Sequence, residues 1–104
     1  MNNQNIFDLL TGDPVELNTL SLKSKLIIVL RTEIESNQWT QQDAATKLGL
    51  SQPRISNLMR SRLDKFSIDM LLSILFKMGF STELTFAPQN EQEPLSIKLK
   101  RAML

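Results

Sequence analysis

Thr40–Ser61 reads TQQDAATKLGLSQPRISNLMRS, and this stretch decides the fold. It holds two helix starts. Thr40 is a good N-cap, and Asp43 occupies the acidic third position of the first turn behind it, with Trp39 ahead of the cap placed to pack on Ala44. Ala44, Ala45 and Leu48 make a buried face, and Gly49 supplies the positive φ that ends the helix. Ser51 then caps a second helix, with Leu50 stapled to Ile55, and Ile55, Leu58 and Met59 form its buried stripe. Two short helices cross at a wide angle only where small residues sit at the crossing and the turn is tight. The two alanines and Gly49 meet both needs.

The second of these helices keeps one face free. At about 100° per residue, Pro53, Ser56, Asn57 and Arg60 fall opposite the apolar stripe, with Gln52 and Arg54 on the flanks. That face is polar and carries no acid, as a helix lying against phosphates requires. Gln and Asn can pair in two-point fashion with adenine, and Arg with guanine. Ser51 at the helix start and the basic residues around it suit phosphates, which set register. For Arg54 and Arg60 phosphate contact is the preferred role. The plainer readings stand beside these: Thr40 and Gln41 as a cap and no more, and Arg60, Arg62 and Lys65 as a solvated loop.

The stretch resembles the lambda-repressor/Cro-like (XRE) helix-turn-helix. The resemblance rests on Thr40-Gln41, Ala44-Ala45, Leu48-Gly49-Leu50, Ser51-Gln52-Pro53 and Ile55-Ser56. Outside the motif, the lead-in FDLLTGDPVEL, the Arg62–Ser67 link and the strand after Met78-Gly79-Phe80 look like the HigA-type antitoxin branch, over roughly residues 6–86. The resemblance implies that Gln41 steadies a phosphate and that Gln52, Pro53, Ser56 and Asn57 face bases. Pro53 departs from the more polar pattern of phage repressors. It has no hydrogen bond to donate and offers apolar contact alone, as to a thymine methyl. The candidate DNA-contact set is therefore Gln41, Ser51, Gln52, Pro53, Arg54, Ser56, Asn57, Arg60 and Lys65.

Charge placement agrees with that set. The net charge of +1 over 104 residues divides into −2 for residues 1–37, +3 for residues 38–65 and zero for the remainder. With no Cys and no His, thiolate metal sites, disulfides and the commonest general base are all missing. No nucleophile–base pair, metal-ligand spacing or glycine-rich phosphate loop stands out either, so the expectation is no enzyme, no metal and no cofactor. The longest apolar run, Leu26–Leu30, is five residues, too short to span a bilayer, and Met1–Asn5 is polar and uncharged, unlike a secretory signal. A cytoplasmic protein without membrane contact is expected.

Working outward, Asn5–Leu10 reads as one short helical turn stopped by Gly12. Asp13-Pro14-Val15-Glu16 starts a long helix. This helix is expected to end near Ser36-Asn37, Asn tolerating the left-handed cap conformation, with a break near Thr19 as an alternative. Arg60–Lys65 reads as a loop. Ser67 caps a last helix running to Gly79, with Phe66 stapled to Leu71. After Gly79 the period changes to two: Phe80, Thr82, Leu84 and Phe86 alternate with polar residues, as do Leu95, Ile97 and Leu99 beyond the polar loop Ala87–Pro94. The fold expected is mostly α, a helix-turn-helix domain of four to five helices with one or two C-terminal β-strands. Residues 1–86 would form the DNA-binding domain with its dimerising strand, and residues 87–104 a tail with a candidate second strand.

The function this predicts is a sequence-specific transcriptional regulator that reads a palindromic double-stranded operator as a homodimer. Two copies would join edge to edge along the first strand through Phe80, Leu84 and Phe86, with Leu22, Leu26 and Val29 of the long helix adding contact. The resemblance implies a type II antitoxin that represses its own operon and binds a cognate toxin. The alternatives are an interaction adaptor that keeps the fold without binding DNA, and a solitary phage-type repressor.

Overall fold

A computed structural model describes residues 12–102. The turn expected over Asn5–Leu10 lies outside the described residues. Helix α1 covers Pro14–Ser36. The Asp13 carboxylate accepts the Val15 N–H at 2.9 Å and Pro14 sits in the first turn, where a missing N–H costs nothing. The helix runs unbroken through Thr19, whose hydroxyl donates to the Val15 carbonyl one turn back and so stays compatible with the helix. The expected left-handed cap at Asn37 is corrected: Asn37 is right-handed, its N–H and side-chain amide both donate to the Glu33 carbonyl, and the left-handed residue is Gln38, with φ of 58°.

Helices α2, Gln41–Leu48, and α3, Gln52–Met59, follow, then α4, Ile68–Lys77. Each starts on a hydroxyl that accepts a backbone N–H three residues on: Thr40 from Asp43, Ser51 from Arg54, Ser67 from Met70. The basic loop between α3 and α4 is not wholly irregular. Leu63–Lys65 forms one 3₁₀ turn, closed by the Phe66 N–H on the Leu63 carbonyl.

One core unites the four helices. Leu26, Ile27, Leu30 and Ile34 of α1 meet Ala44, Ala45 and Leu48 of α2, Ile55 and Leu58 of α3, and Leu71, Ile74 and Leu75 of α4. Leu26 is therefore mostly core, at 4% exposure, and leaves little surface for the subunit contact expected of it; Val29 is half-buried and packs against the core on one side. The spacing of a helix shows which residues share a stripe, but not how wide a sector of that stripe the other helices cover.

Strands β1, Phe80–Phe86, and β2, Leu95–Arg101, pair antiparallel, Phe80 opposite Arg101 and Phe86 opposite Leu95. The hairpin is anchored at its base. Phe80 and Leu99 pack on the core, Arg101 lies over the Phe80 ring at 5.0 Å, and its guanidinium reaches Glu33 of α1 at 2.9 Å. Toward its other end, Leu84, Phe86, Leu95 and Ile97 stay exposed. The architecture is thus mostly α, with a helix-turn-helix and a C-terminal two-stranded sheet. No described helix is long and apolar enough to cross a membrane.

Candidate nucleic-acid interface

The turn between α2 and α3 is built from backbone bonds and one special conformation. Gly49 adopts φ of 64°, and the Leu50 N–H returns to the Ala45 carbonyl at 3.0 Å. A side chain at position 49 would be strained by that φ, although space exists for it. Ala44 is fully buried and Ala45 nearly so, which lets α3 cross close over α2. The capping box of α2 is complete: Thr40 accepts from the Asp43 N–H, and the Asp43 carboxylate accepts from the Thr40 N–H at 3.0 Å. Those bonds hold the Asp43 carboxyl below its ordinary range, with Lys47 adding a smaller attraction.

Two ties with no local sequence signal brace this unit. Lys77, at the end of α4, donates to the Leu48 carbonyl at 3.0 Å and caps the last turn of α2. Arg31 of α1 donates to the Ser61 hydroxyl at 2.7 Å, holding the turn that ends α3, where Ser61 itself takes φ of 55°. Each partner lies about thirty residues from the other, so neither tie shows in a reading along the chain.

The candidate contact residues take distinct places. Gln41 begins α2 and is exposed; Gln52 and Pro53 begin α3 and are exposed. Ser56 and Asn57 are half-buried along α3, and Arg60 stands exposed at its end. Arg54 is half-buried because its guanidinium lies against the Met70 sulfur. The Ser51 hydroxyl is engaged as the α3 cap. A shallow concavity of about 190 Å³ gathers Ser51, Pro53, Arg54, Asn57 and Lys65 above Phe66. Gln41, Gln52, Ser56 and Arg60 do not line it.

Charge around this surface is unpaired. Among the described residues the ion pairs are Lys100–Glu83 and Arg101–Glu33, both away from α3. Lys47 is committed elsewhere, over the Trp39 ring at 5.8 Å. Arg60, Arg62 and Lys65 have no ion pair among the described residues and stand at the exposed end of α3 and the turn beyond it. A polar helix face without acids, flanked by uncompensated cations, is what phosphate attraction and base-edge contact both require.

A family model described as a helix-turn-helix domain matches residues 8–86. The chain belongs to the helix-turn-helix domain family. Within this helix-turn-helix protein, α2 and α3 are the motif's two helices, and α3 stands where the second helix of such motifs reads the groove. The family places the chain among DNA-binding regulators, consistent with an XRE-like domain. No curated protein matches the chain closely enough to count as a relative.

Proposed function

We propose that the protein is a sequence-specific repressor that reads a palindromic operator as a homodimer, and that it serves as the antitoxin of a toxin–antitoxin pair. The observation that carries the DNA reading is the exposed side of α3. Gln52, Pro53 and Arg60 stand in solvent beside the half-buried Asn57 and Ser56, with no acid in the helix. In this reading Gln52 and Asn57 pair with base edges, Pro53 offers apolar contact, and Ser56 faces bases beside them. Gln41, Ser51, Arg54, Arg60 and Lys65 hold phosphates, and their charge draws the protein to DNA of any sequence.

Dimerisation follows from the small footprint of one motif. Proteins of this geometry usually read two half-sites about one helical turn apart, so a twofold partner supplies the second α3. The antitoxin role rests on the resemblance of the lead-in, the Arg62–Ser67 link and the strand after Gly79 to the HigA-type branch.

A mobility shift with the DNA upstream of the chain's own gene tests the reading. The expected result is a sequence-dependent shift that weakens steeply with salt. An adaptor that keeps the fold without binding DNA would show none. Co-expression with a small basic ribonuclease-like neighbour, followed by recovery of a complex and of growth, tests the antitoxin role; no complex and no rescue would leave a solitary repressor.

A further inference from the structure

The β1–β2 hairpin leaves the helical body as it extends. Its base is held against the C-terminal half of α1 by Arg101 and Glu33. Farther along, between the hairpin and the helices, lies an open groove of about 340 Å³. Leu22 and Leu26 of α1, Leu72 and Phe76 of α4, and Leu84 and Ile97 of the hairpin form its walls. No charged residue lines it. Beyond it Phe86 and Leu95, paired across the strands, continue the same sheet face as an exposed apolar ridge.

Leu22, Phe76, Leu84, Phe86, Leu95 and Ile97 are between 45% and 66% exposed. At about 200 Å² per large apolar residue, they leave on the order of 600 Å² bare, at the top of what a monomer ordinarily shows. Two such faces would bury about 1,200 Å², which reaches the range of specific protein interfaces.

We infer that this groove and ridge form the dimer interface, with the ridge of one copy seated in the groove of the other. A second copy is the occupant the surface fits. A twofold axis pairs a patch with itself, so the patch must be self-complementary. This one carries a ridge beside a groove, both apolar and both uncharged. The contact is face to face across the sheet and α1, rather than along the free edge of β1. It draws Leu22 of α1 and Phe76 of α4 into the interface, and it leaves the exposed residues of α3 untouched, since none of them belongs to the patch. The inference rests on the dimeric reading above and names the surface that reading needs.

Sedimentation of the full chain and of two single variants tests it. Leu84→Asp puts a carboxylate on the hairpin face, and Leu22→Glu puts one on the helix wall of the groove. The intact chain should be a dimer at about 0.1 mM, well above the Kd expected of an interface this size. Each variant should weaken dimerisation by at least about a hundredfold, because an unpaired charge enters an apolar contact in both copies. Helix content by circular dichroism should match the intact chain; should Leu84→Asp lose it, Phe86→Asp at the exposed ridge takes its place. A monomeric intact chain overturns the inference. So does a Leu22→Glu chain that dimerises like the intact one, because pairing along the strand edge would leave Leu22 out. A chain that dimerises through this face but shifts no DNA keeps the interface and defeats the DNA reading; a monomer that shifts DNA does the reverse.

Discussion

The α2–α3 pair and the β1–β2 hairpin use their apolar residues in opposite ways. In the helix pair, Ala44, Ala45, Leu48, Ile55 and Leu58 are all buried, and the exposed side is polar. In the hairpin, only Phe80 and Leu99 reach the core, while Leu84, Phe86, Leu95 and Ile97, on the same sheet face, stay exposed. The first region satisfies its hydrophobic residues within one chain and keeps polar groups free for a polar ligand. The second has an apolar face that this chain alone leaves uncovered. On the proposed reading, a DNA-reading surface and an assembly surface would be told apart by which kind of group is left without a partner.

The sharpest break of that comparison is by stability. Leu58→Ala should cost about 2–5 kcal/mol, because Leu58 is fully buried and a cavity would remain beneath α3. Ile97→Ala, at 63% exposure, should change monomer stability by no more than about 0.5 kcal/mol. Urea unfolding at concentrations low enough to keep the chain monomeric measures both. Similar losses would mean that the hairpin face is packed within one chain.

The next effect lies on the reading side. Gln52→Ala and Asn57→Ala should each cost about 1–3 kcal/mol on the specific site and relax preference at particular base pairs. Titration against specific and random duplexes separates the outcomes; equal losses on both remove that residue from base reading. Arg60→Ala should weaken binding to every sequence and lower the salt slope by about one unit. Arg54→Ala should do the same if its guanidinium can serve a phosphate while resting on Met70. An unchanged slope assigns the residue to a solvated or packing role.

How far the chain could be read in advance follows the same division. The caps at Thr40, Ser51 and Ser67, and the residues that staple each helix start, are signals within five residues, and the structure has all three helices where they point. The strands were legible from period-two alternation. Legibility fails where partners are distant or where coverage decides. The Arg31–Ser61 and Lys77–Leu48 bonds join residues about thirty apart and follow from no local pattern. Leu22 and Leu26 share one helical stripe and both border the open groove, yet Leu22 is largely exposed and Leu26 is buried in the core, because only the packing of α4 and the hairpin separates them. Gln38 takes the left-handed conformation in place of Asn37 because both hydrogen bonds of Asn37 are met by the Glu33 carbonyl. Of the contact set, the half-burial of Arg54 against Met70 was not visible, since Met70 belongs to α4.

The smallest effect distinguishes the two regions by pH. The Asp43 carboxyl is lowered from its ordinary 3.8 by the Thr40 bonds, so its contribution is present above that value and fades as pH falls through the lower folded one. Thermal melting of Asp43→Asn against the intact chain should show a gap at neutral pH that closes in acid, below about pH 4. Glu83 on the hairpin is also lowered, by its bond to Lys100, but that pair is half exposed and screened. Glu83→Gln should leave the melting point nearly unchanged. A larger effect there than at Asp43 would reverse the ranking of the two regions.

Selection of binding sites from a random duplex pool tests most directly whether α3 reads sequence as one half of a dimer. The expected product is a twofold-symmetric site whose half-sites lie about one helical turn, 10–10.5 base pairs, apart, and whose symmetry is lost with Leu22→Glu. A pool that gains no common sequence, or a single unrepeated half-site from the intact chain, would contradict it.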